Sequence, residues 1–238
     1  MKISNGLIAG TLLFTSFILT PFAFAVSVGQ IDTFEDGTTQ NWLVGLLGSL
    51  HPVPPVNVPT GGPTGLDDNY MLLTAVGGQG AGSRLSVVNL TQWTGNFISA
   101  GINAIEMDLN NFGSTDLSLR LLFSDPSVGP PSNLAFSAAA IFLPAGSGWT
   151  SVVFPIAPAD LSVGLGSAIS ALADATEMRI FHNPDAAFPP PSVQAILGVD
   201  NIEALSVPPV PEPATMFLLG SGFIGLVGLR KFRRQNFI

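Results

Sequence analysis

Residues 102–124 read INAIEMDLNNFGSTDLSLRLLFS, and this stretch indicates the fold class. Apolar side chains recur at every second position in both of its halves: Ile105, Met107, Leu109, Leu117, Leu119, Leu121 and Phe123. A period of two is typical of a β-strand with one buried face, and the Asn, Gly and Ser between the halves favour a turn. We therefore predict a hairpin folded about Gly113, with Glu106 opposite Arg120 as a cross-strand ion pair.

Short β-branched or aromatic runs separated by Gly, Pro, Asn and Asp continue through most of the chain. The predicted strands are residues 28–34, 69–76, 83–88, 102–110, 116–124, 134–142, 149–155, 177–182 and 193–207. Many short strands with frequent turn signals indicate an all-β sandwich or barrel. One short helix is expected at 168–175, and the Pro-rich segment 51–65 is expected to form a surface loop.

The composition and charge of the chain exclude several classes of protein. Charged residues make up 10% of the 238 residues, against about 25% in typical soluble domains, which excludes a helical bundle, a coiled coil and a charge-rich disordered chain. The sequence has no cysteine, which excludes disulfides, thiol catalysis and zinc–thiolate sites. Residues 26–210 hold three arginines and fifteen acidic residues, a net charge of −12. No basic face is available for phosphates, so nucleic acid is excluded as a partner.

The first 25 residues predict export. Lys2 is followed by the apolar run 7–19, and Ala23 and Ala25 have the spacing of a signal peptidase site. This order is typical of a secretory signal peptide, and we expect cleavage after Ala25. The alternative, a first transmembrane helix, fits less well because the apolar run is short.

The last residues of the chain combine three features in a fixed order. The motif Pro211-Glu212-Pro213 precedes the uncharged run 214–229, and four cations follow it: Arg230, Lys231, Arg233 and Arg234. As a helix, the run spans about 24 Å, short of the ~30 Å core of a bilayer. The basic residues predict that the C-terminus stays in the cytoplasm.

This ending resembles the PEP-CTERM sorting signal of Gram-negative bacteria. The resemblance implies that the secretion machinery and an exosortase, a membrane-embedded protease/transpeptidase, are partners, and that exosortase cuts near the motif. It also implies contact with the membrane through the helix, and exopolysaccharide as a further partner. The expected route runs through the inner membrane and periplasm to the cell surface or extracellular matrix. A plain C-terminal anchor is the alternative, and it leaves the Pro-Glu-Pro motif unexplained.

These signals divide the chain into five predicted parts. They are a signal peptide (1–25), an exported β-sandwich (26–207), a Pro-rich linker with the Pro-Glu-Pro motif (208–213), a transmembrane helix (214–229) and a basic cytoplasmic tail (230–238). The linker is expected to be a stiff spacer because of its proline content.

Three short motifs are spread over the exported part: Phe34-Glu35-Asp36-Gly37 with Trp42 after it, residues 148–154, and residues 199–202. Together they resemble the galactose-binding-like jelly-roll sandwiches, which include many carbohydrate-binding modules. The resemblance implies a jelly-roll-like β-sandwich with a structural Ca²⁺ bound by Glu35 and Asp200, and with Asp36 as a further candidate ligand. Carboxylate and carbonyl oxygens are the ligands that Ca²⁺ prefers. The alternative is a set of solvated acidic side chains.

Catalysis has little support in the sequence. The histidines, His51 and His182, lie in no recognised catalytic motif. The candidate carboxylate pairs are Glu35/Asp36, Asp67/Asp68 and Glu106/Asp108, and adjacent strand residues point to opposite faces. We therefore predict a structural or interaction role without enzyme activity. A carbohydrate-binding module is the alternative, and a secreted polysaccharide hydrolase is the third possibility.

Glycan binding requires an exposed aromatic ring on which a sugar can stack. We expect Trp42 and Trp149 to pack in the core. Trp93, within Thr91–Gly95, is the candidate for stacking, and the alternative for this residue is partial burial.

Overall fold

The computed structural model describes residues 25–45, 52–126 and 129–207. Its strands are β1 (Ile31–Asp32), β2 (Trp42–Leu43), β3 (Val56–Val58), β4 (Tyr70–Val76), β5 (Ser86–Asn89), β6 (Ala104–Asn111), β7 (Leu117–Asp125), β8 (Asn133–Ser137), β9 (Ile141–Leu143), β10 (Thr150–Pro155), β11 (Leu161–Leu165), β12 (Glu177–His182) and β13 (Gln194–Leu205). A 3₁₀ turn at Pro158–Asp160 and the helix α1 (Ala168–Ala173) lie between strands.

The strands form two antiparallel sheets packed face to face. The first sheet has the order β10-β6-β13-β4-β3, with β1 also paired to β13. The second has the order β11-β8-β7-β12-β5-β2, with β9 also paired to β7. The predicted all-β sandwich is therefore confirmed.

The core consists of the alternate side chains of both sheets. Met71, Met107 and Val199 of the first sheet are fully buried, as are Leu121 and Phe123 of the second. Burial of one such side chain contributes about 1.5–3 kcal/mol, so the alternation seen in the sequence supplies much of the driving force for folding.

The predicted hairpin between β6 and β7 is wrong, because the two strands belong to different sheets. β6 pairs with β10 and β13, whereas β7 pairs with β8, β9 and β12. The connection between them crosses from one sheet to the other. The buried side chain of Asn111 stabilises this crossing: its Nδ2 donates to the carbonyls of Thr115 (2.8 Å) and Leu143 (3.2 Å), and its Oδ1 accepts from Gly113 N–H (3.0 Å).

The predicted ion pair between Glu106 and Arg120 is wrong for the same reason. Arg120 is buried on the second sheet, where its guanidinium donates to four backbone carbonyls: Ser137 (2.7 Å), Ala138 (2.8 Å), Asn183 (2.9 Å) and Pro184 (2.9 Å). Desolvation lowers the pKa of Arg120, and the charge of Asp185 acts in the opposite direction. Arg120 therefore holds loop backbone in place and is not available to a ligand.

Several predicted elements differ from the structure in extent. The expected strand 134–142 is interrupted after Ser137, where Ala138 N–H donates to the carbonyl of Asp160. β2, β3 and β11 were not predicted. β3 lies within the Pro-rich segment and forms an edge of the first sheet, a position where neighbouring prolines are tolerated.

Candidate functional site

Strand β13 carries a carboxylate that is completely shielded from water. Asp200 is 0% exposed, and it pairs with Asp108 of β6 on the outer face of the first sheet, away from the core. The register of this pair shifts between Asp200 and Glu203, and Asn201 has a φ of 49°. Such a β-bulge re-aims side chains locally. A buried carboxylate is thus placed outside the apolar core.

The surroundings of Asp200 disfavour its negative charge. Its pKa is raised to about 7, first by desolvation and then by the charges of Asp68, Asp108 and Glu35. One hydrogen bond, from Asn201 N–H to Oδ1 at 2.7 Å, favours the ionised form and offsets this only in part. We call these four carboxylates the acidic region. The ion pair found in the described part of the chain lies elsewhere, within β12.

Hydrogen bonds hold the three neighbours of Asp200 in place: Glu35 Oε1 accepts from Asn69 N–H (2.9 Å), Asp68 Oδ2 from Thr64 N–H (2.6 Å) and Asp108 Oδ2 from Asn201 Nδ2 (2.9 Å). Phe34, just before Glu35, has a φ of 60°, and its carbonyl accepts from Nδ2 of Asn57 (2.7 Å) and of Asn69 (3.3 Å). The loop around residue 68 and the first motif are therefore tied together.

The two predicted calcium ligands therefore both belong to the acidic region, where the charge of Glu35 acts on Asp200. Asp36 does not, because its Oδ1 accepts from the backbone N–H and the hydroxyl of Thr38, both at 2.8 Å, and its charge acts on Asp32. Within residues 25–45, 52–126 and 129–207, no group of three or more His, Cys, Asp or Glu is arranged to hold a metal ion. Calcium binding stays a prediction.

The predicted stacking role of Trp93 is wrong, because the side chain is fully buried. Its indole Nε1 donates to Asp32 Oδ2 at 2.6 Å, and Trp42 Nε1 donates to the same oxygen at 2.8 Å. Gln92 Nε2 donates to it at 3.1 Å. Trp42 is in the core, as expected, and the alternative of burial holds for Trp93.

The expectation that Trp149 lies in the core is wrong. This residue is half-buried on the outer face of the first sheet, and its Nε1 donates to the carbonyl of Gly61 at 2.9 Å. Its ring is edge-on to Tyr70 (centroids 5.2 Å apart) and to Phe112 (6.0 Å). A Cβ on Gly198 would lie 2.8 Å from both Phe112 and Trp149, so only glycine lets these rings lie against β13.

Beside this aromatic cluster lies a groove that the sequence did not predict. We call it the Phe112 groove, and it is lined by Thr74, Phe112, Ser114, Gln194 and Ile196. Phe112 is 44% exposed. A hydrophobic ring between Asn111 and Gly113 was the signal in the sequence, because a turn residue of this kind has no core to enter.

Of the two histidines, His182 lies within the described residues. It is buried, and burial lowers its pKa. Its Nδ1 accepts from Ser118 N–H at 3.0 Å, which joins β12 to the start of β7. This contact gives His182 a role in holding two strands together.

Residues 209–234 match the PEP-CTERM protein-sorting motif. The chain carries a PEP-CTERM sorting signal. The predicted resemblance of the last residues is therefore confirmed. No curated protein matches this sequence.

Solved structures show what the domain in front of the PEP-CTERM signal is similar to. A family 11 carbohydrate-binding module from Clostridium thermocellum, in complex with a β-1,3-1,4-mixed-linked tetrasaccharide, has a TM-score of 0.51 and 16% identity over 77% of this chain and 98% of that one. An exo-β-agarase has a TM-score of 0.54 and 13% identity over 78% of this chain, which spans only 26% of the agarase. At these identities the likeness shows the fold alone, and that fold is a β-sandwich like those of carbohydrate-binding modules.

Other predictions for this chain fall outside the described residues. They concern the signal peptide before Ala25, His51, the Pro-Glu-Pro motif, the helix 214–229 and the four basic residues of the tail. Among the helices that the structure describes, none has the length and apolar character needed to cross a membrane.

The raised pKa of Asp200 predicts how stability depends on pH when divalent cations are removed by a chelator. In the unfolded chain an aspartate has a pKa of about 3.9, so between roughly pH 4 and 7 the unfolded state loses this proton first. The free energy of unfolding therefore falls as pH rises through this window, by an amount of the order of 4 kcal/mol for a folded pKa of about 7.

Urea unfolding at pH 5 and pH 8 measures this effect. Asp200→Asn removes the titrating group and is expected to flatten the difference between the two pH values. Asp174→Asn, at an exposed carboxylate, is the control and is expected to keep the wild-type difference. Burial also shifts the pKa values of Asp32 and His182, but both groups are present in all three proteins, so their contributions cancel in the comparison. An identical pH dependence in wild type and Asp200→Asn would show that the surroundings of Asp200 are not as described.

Proposed function

We propose that the protein is exported, sorted through an exosortase-type system to the cell envelope or extracellular polysaccharide matrix, and has a structural or interaction role there without catalysing a reaction. The observation that carries this proposal is the PEP-CTERM match at residues 209–234, directly after the sandwich. The run 214–229 supports a sorting role, because about 24 Å of helix makes a poor permanent anchor in a ~30 Å bilayer core.

The end of the sandwich supports a short distance between domain and membrane before cleavage. Asn103 holds Val207 by two hydrogen bonds, from its Nδ2 to the carbonyl (2.7 Å) and from Val207 N–H to its Oδ1 (2.8 Å). Four residues lead from Val207 to Pro211, and even fully extended they reach only about 14 Å. Exosortase would therefore act close to the folded domain.

Replacement of Pro211, Glu212 and Pro213 by alanine tests the sorting proposal. We expect the wild-type protein to lack residues 1–25 and everything beyond the motif, and the variant to keep its C-terminal residues and remain with the membrane fraction. Intact-mass spectrometry of the cell fractions measures both ends at once. Pro208→Ala/Pro209→Ala, in the same linker, is the control and is expected to be processed like wild type. An unprocessed wild-type chain in the cytosol would contradict the proposal.

We further propose a structural calcium ion at the acidic region, with Glu35 and Asp200 as ligands. The fit rests on Asp200, which is fully buried, is subject to the charges of three other carboxylates, and accepts hydrogen bonds only from Asn201 among the described residues. Such a group favours a hard cation with oxygen ligands. A bound ion would neutralise the region and join the first motif to the last strand.

Thermal melting with calcium and with a chelator measures this effect. We expect calcium to raise the melting temperature of the wild type at pH 8, because binding to the folded state alone stabilises it. Asp200→Asn is expected to remove the response, and Asp174→Asn is expected to keep it. The same melting temperature for the wild type with and without calcium would refute the proposed ion.

The Phe112 groove favours a second candidate function, carbohydrate binding. An exposed phenylalanine can stack against the C–H face of a sugar. Thr74, Ser114 and Gln194 add hydroxyl and amide groups that can bind sugar hydroxyls. The neutral, open character of the groove suits a neutral glycan chain laid along the sheet.

Binding to a glycan array, followed by calorimetry, tests this function. Phe112→Ala is expected to weaken binding of a neutral oligosaccharide, for instance the β-1,3-1,4-linked tetrasaccharide, by about tenfold or more. Phe142→Ala is the matched control, because Phe142 is 62% exposed but lies on β9 of the second sheet. Equal affinities for the two variants would exclude the groove as the binding site.

A further inference from the structure

The three arginines of the sandwich fall into two groups. The guanidinium of Arg120 donates four hydrogen bonds, all to backbone carbonyls. Arg84 and Arg179 instead line one cleft, together with residues 78–83, Phe188 and Pro189. We call this the arginine cleft. Residues 26–210 have a net charge of −12, yet two of their three cations line this one cleft.

Arg84 and Arg179 differ in how many hydrogen bonds their guanidinium groups form with the described residues. Arg84 is exposed and makes no hydrogen bond or ion pair within the described residues. Arg179 donates from Nη2 to Glu177 Oε2 at 2.9 Å and from Nη1 to Ser86 Oγ at 3.3 Å. Its Nε is buried and has no hydrogen-bond partner in the described part of the chain, and its Cζ lies 5.6 Å from the ring centre of Phe188. The pair retains donor capacity that the fold does not use.

A glycine-rich turn adds further donors to the arginine cleft. Gly77, Gly78, Gly80 and Gly82 have φ values of 70°, 72°, 90° and 82°. The backbone N–H groups of residues 78–82 donate no hydrogen bond within the part of the chain that the structure describes. Turns of this kind, with successive free N–H groups, form concave anion-binding sites.

We propose that the arginine cleft binds the carboxylate groups of an acidic polysaccharide, such as one built from uronic acid units. The planar fork of arginine matches a carboxylate in two parallel hydrogen bonds. Phe188, 38% exposed, and Pro189 supply apolar surface for the C–H faces of the sugar ring.

The net charge of the domain further limits the class of anionic ligand that the arginine cleft can bind. A dense polyanion such as a nucleic acid, with one charge per ~1.7 Å, would be repelled by the net negative charge of the domain. A uronic acid chain carries one carboxylate per sugar unit and can place a single one between Arg84 and Arg179. The choice of a saccharide rests on the proposed function, which places the protein in a polysaccharide matrix.

Calorimetry with the full-length protein and trigalacturonate tests this inference. We expect measurable binding that weakens as sodium chloride is raised, and, in the Phe112→Ala background that disables the Phe112 groove, no comparable binding of the neutral maltotriose. Arg84→Gln is expected to weaken trigalacturonate binding by about tenfold or more, since a hydrogen bond to a charged group contributes at least about a factor of ten. Arg179→Lys, which keeps the charge but loses the fork, is expected to weaken it as well.

Thr150→Glu is the control for net charge, because it makes the same change of one unit at an exposed position of the first sheet. It is expected to bind trigalacturonate like wild type, and circular dichroism checks that every variant is folded. Unchanged affinity in folded Arg84→Gln, equal binding of maltotriose in the Phe112→Ala background, or tighter binding of inorganic phosphate than of trigalacturonate would overturn the inference. A correctly sorted protein that fails to bind refutes this inference alone, whereas binding by an unsorted protein refutes only the proposed sorting.

Discussion

A single buried carboxylate joins the two sheets at one end of the sandwich. Asp32 lies on β1 of the first sheet. Its Oδ2 accepts hydrogen bonds from Trp42 on β2 of the second sheet and from Trp93 in the loop after β5. Burial raises the pKa of Asp32, and the hydrogen bonds from the two indoles and Gln92 oppose this effect. An unpaired buried polar group costs about 1–3 kcal/mol, so carboxylate and indoles constrain one another. Both tryptophans are therefore directed inward and are not available as exposed aromatic rings.

The requirement that buried polar groups have hydrogen-bond partners also distinguishes, in the rest of the molecule, side chains that stabilise the fold from side chains that are available to a ligand. Asn111 and Arg120 are buried, and each of them forms several hydrogen bonds with backbone groups. Among the described residues, the buried Asp200 accepts hydrogen bonds only from the adjacent Asn201, and the buried Nε of Arg179 has no partner. Because folding satisfies nearly all buried polar groups, those that it leaves poorly satisfied are the most informative about ligands.

The sequence revealed which residues form strands better than it revealed which strands pair. Alternation identified β6 and β7, because a period of two reports which face is buried, but it carries no information about the neighbouring strand. The resemblance to jelly-roll sandwiches predicted that Glu35 and Asp200 bind the same ion. Asp68 and Asp108 were missed as their neighbours, because a loop closure and a bulge bring them there. Trp93 was misjudged for a related reason: its partner, Asp32, is distant in the sequence, and only the closed sandwich joins them.

The long strand β13 relates the sorting signal to the surfaces proposed to bind glycans. Its twelve residues extend over about 35–40 Å. At its start, Gln194 lines the Phe112 groove, and Val193 N–H bonds to the carbonyl of Ser83, next to Arg84. At its end, Leu205 leads to Val207, from which the chain continues to the sorting motif. Any molecule tethered at this end presents the groove and the arginine cleft at the far end of the strand. The proposed attachment and the proposed glycan binding would then use different surfaces of the domain.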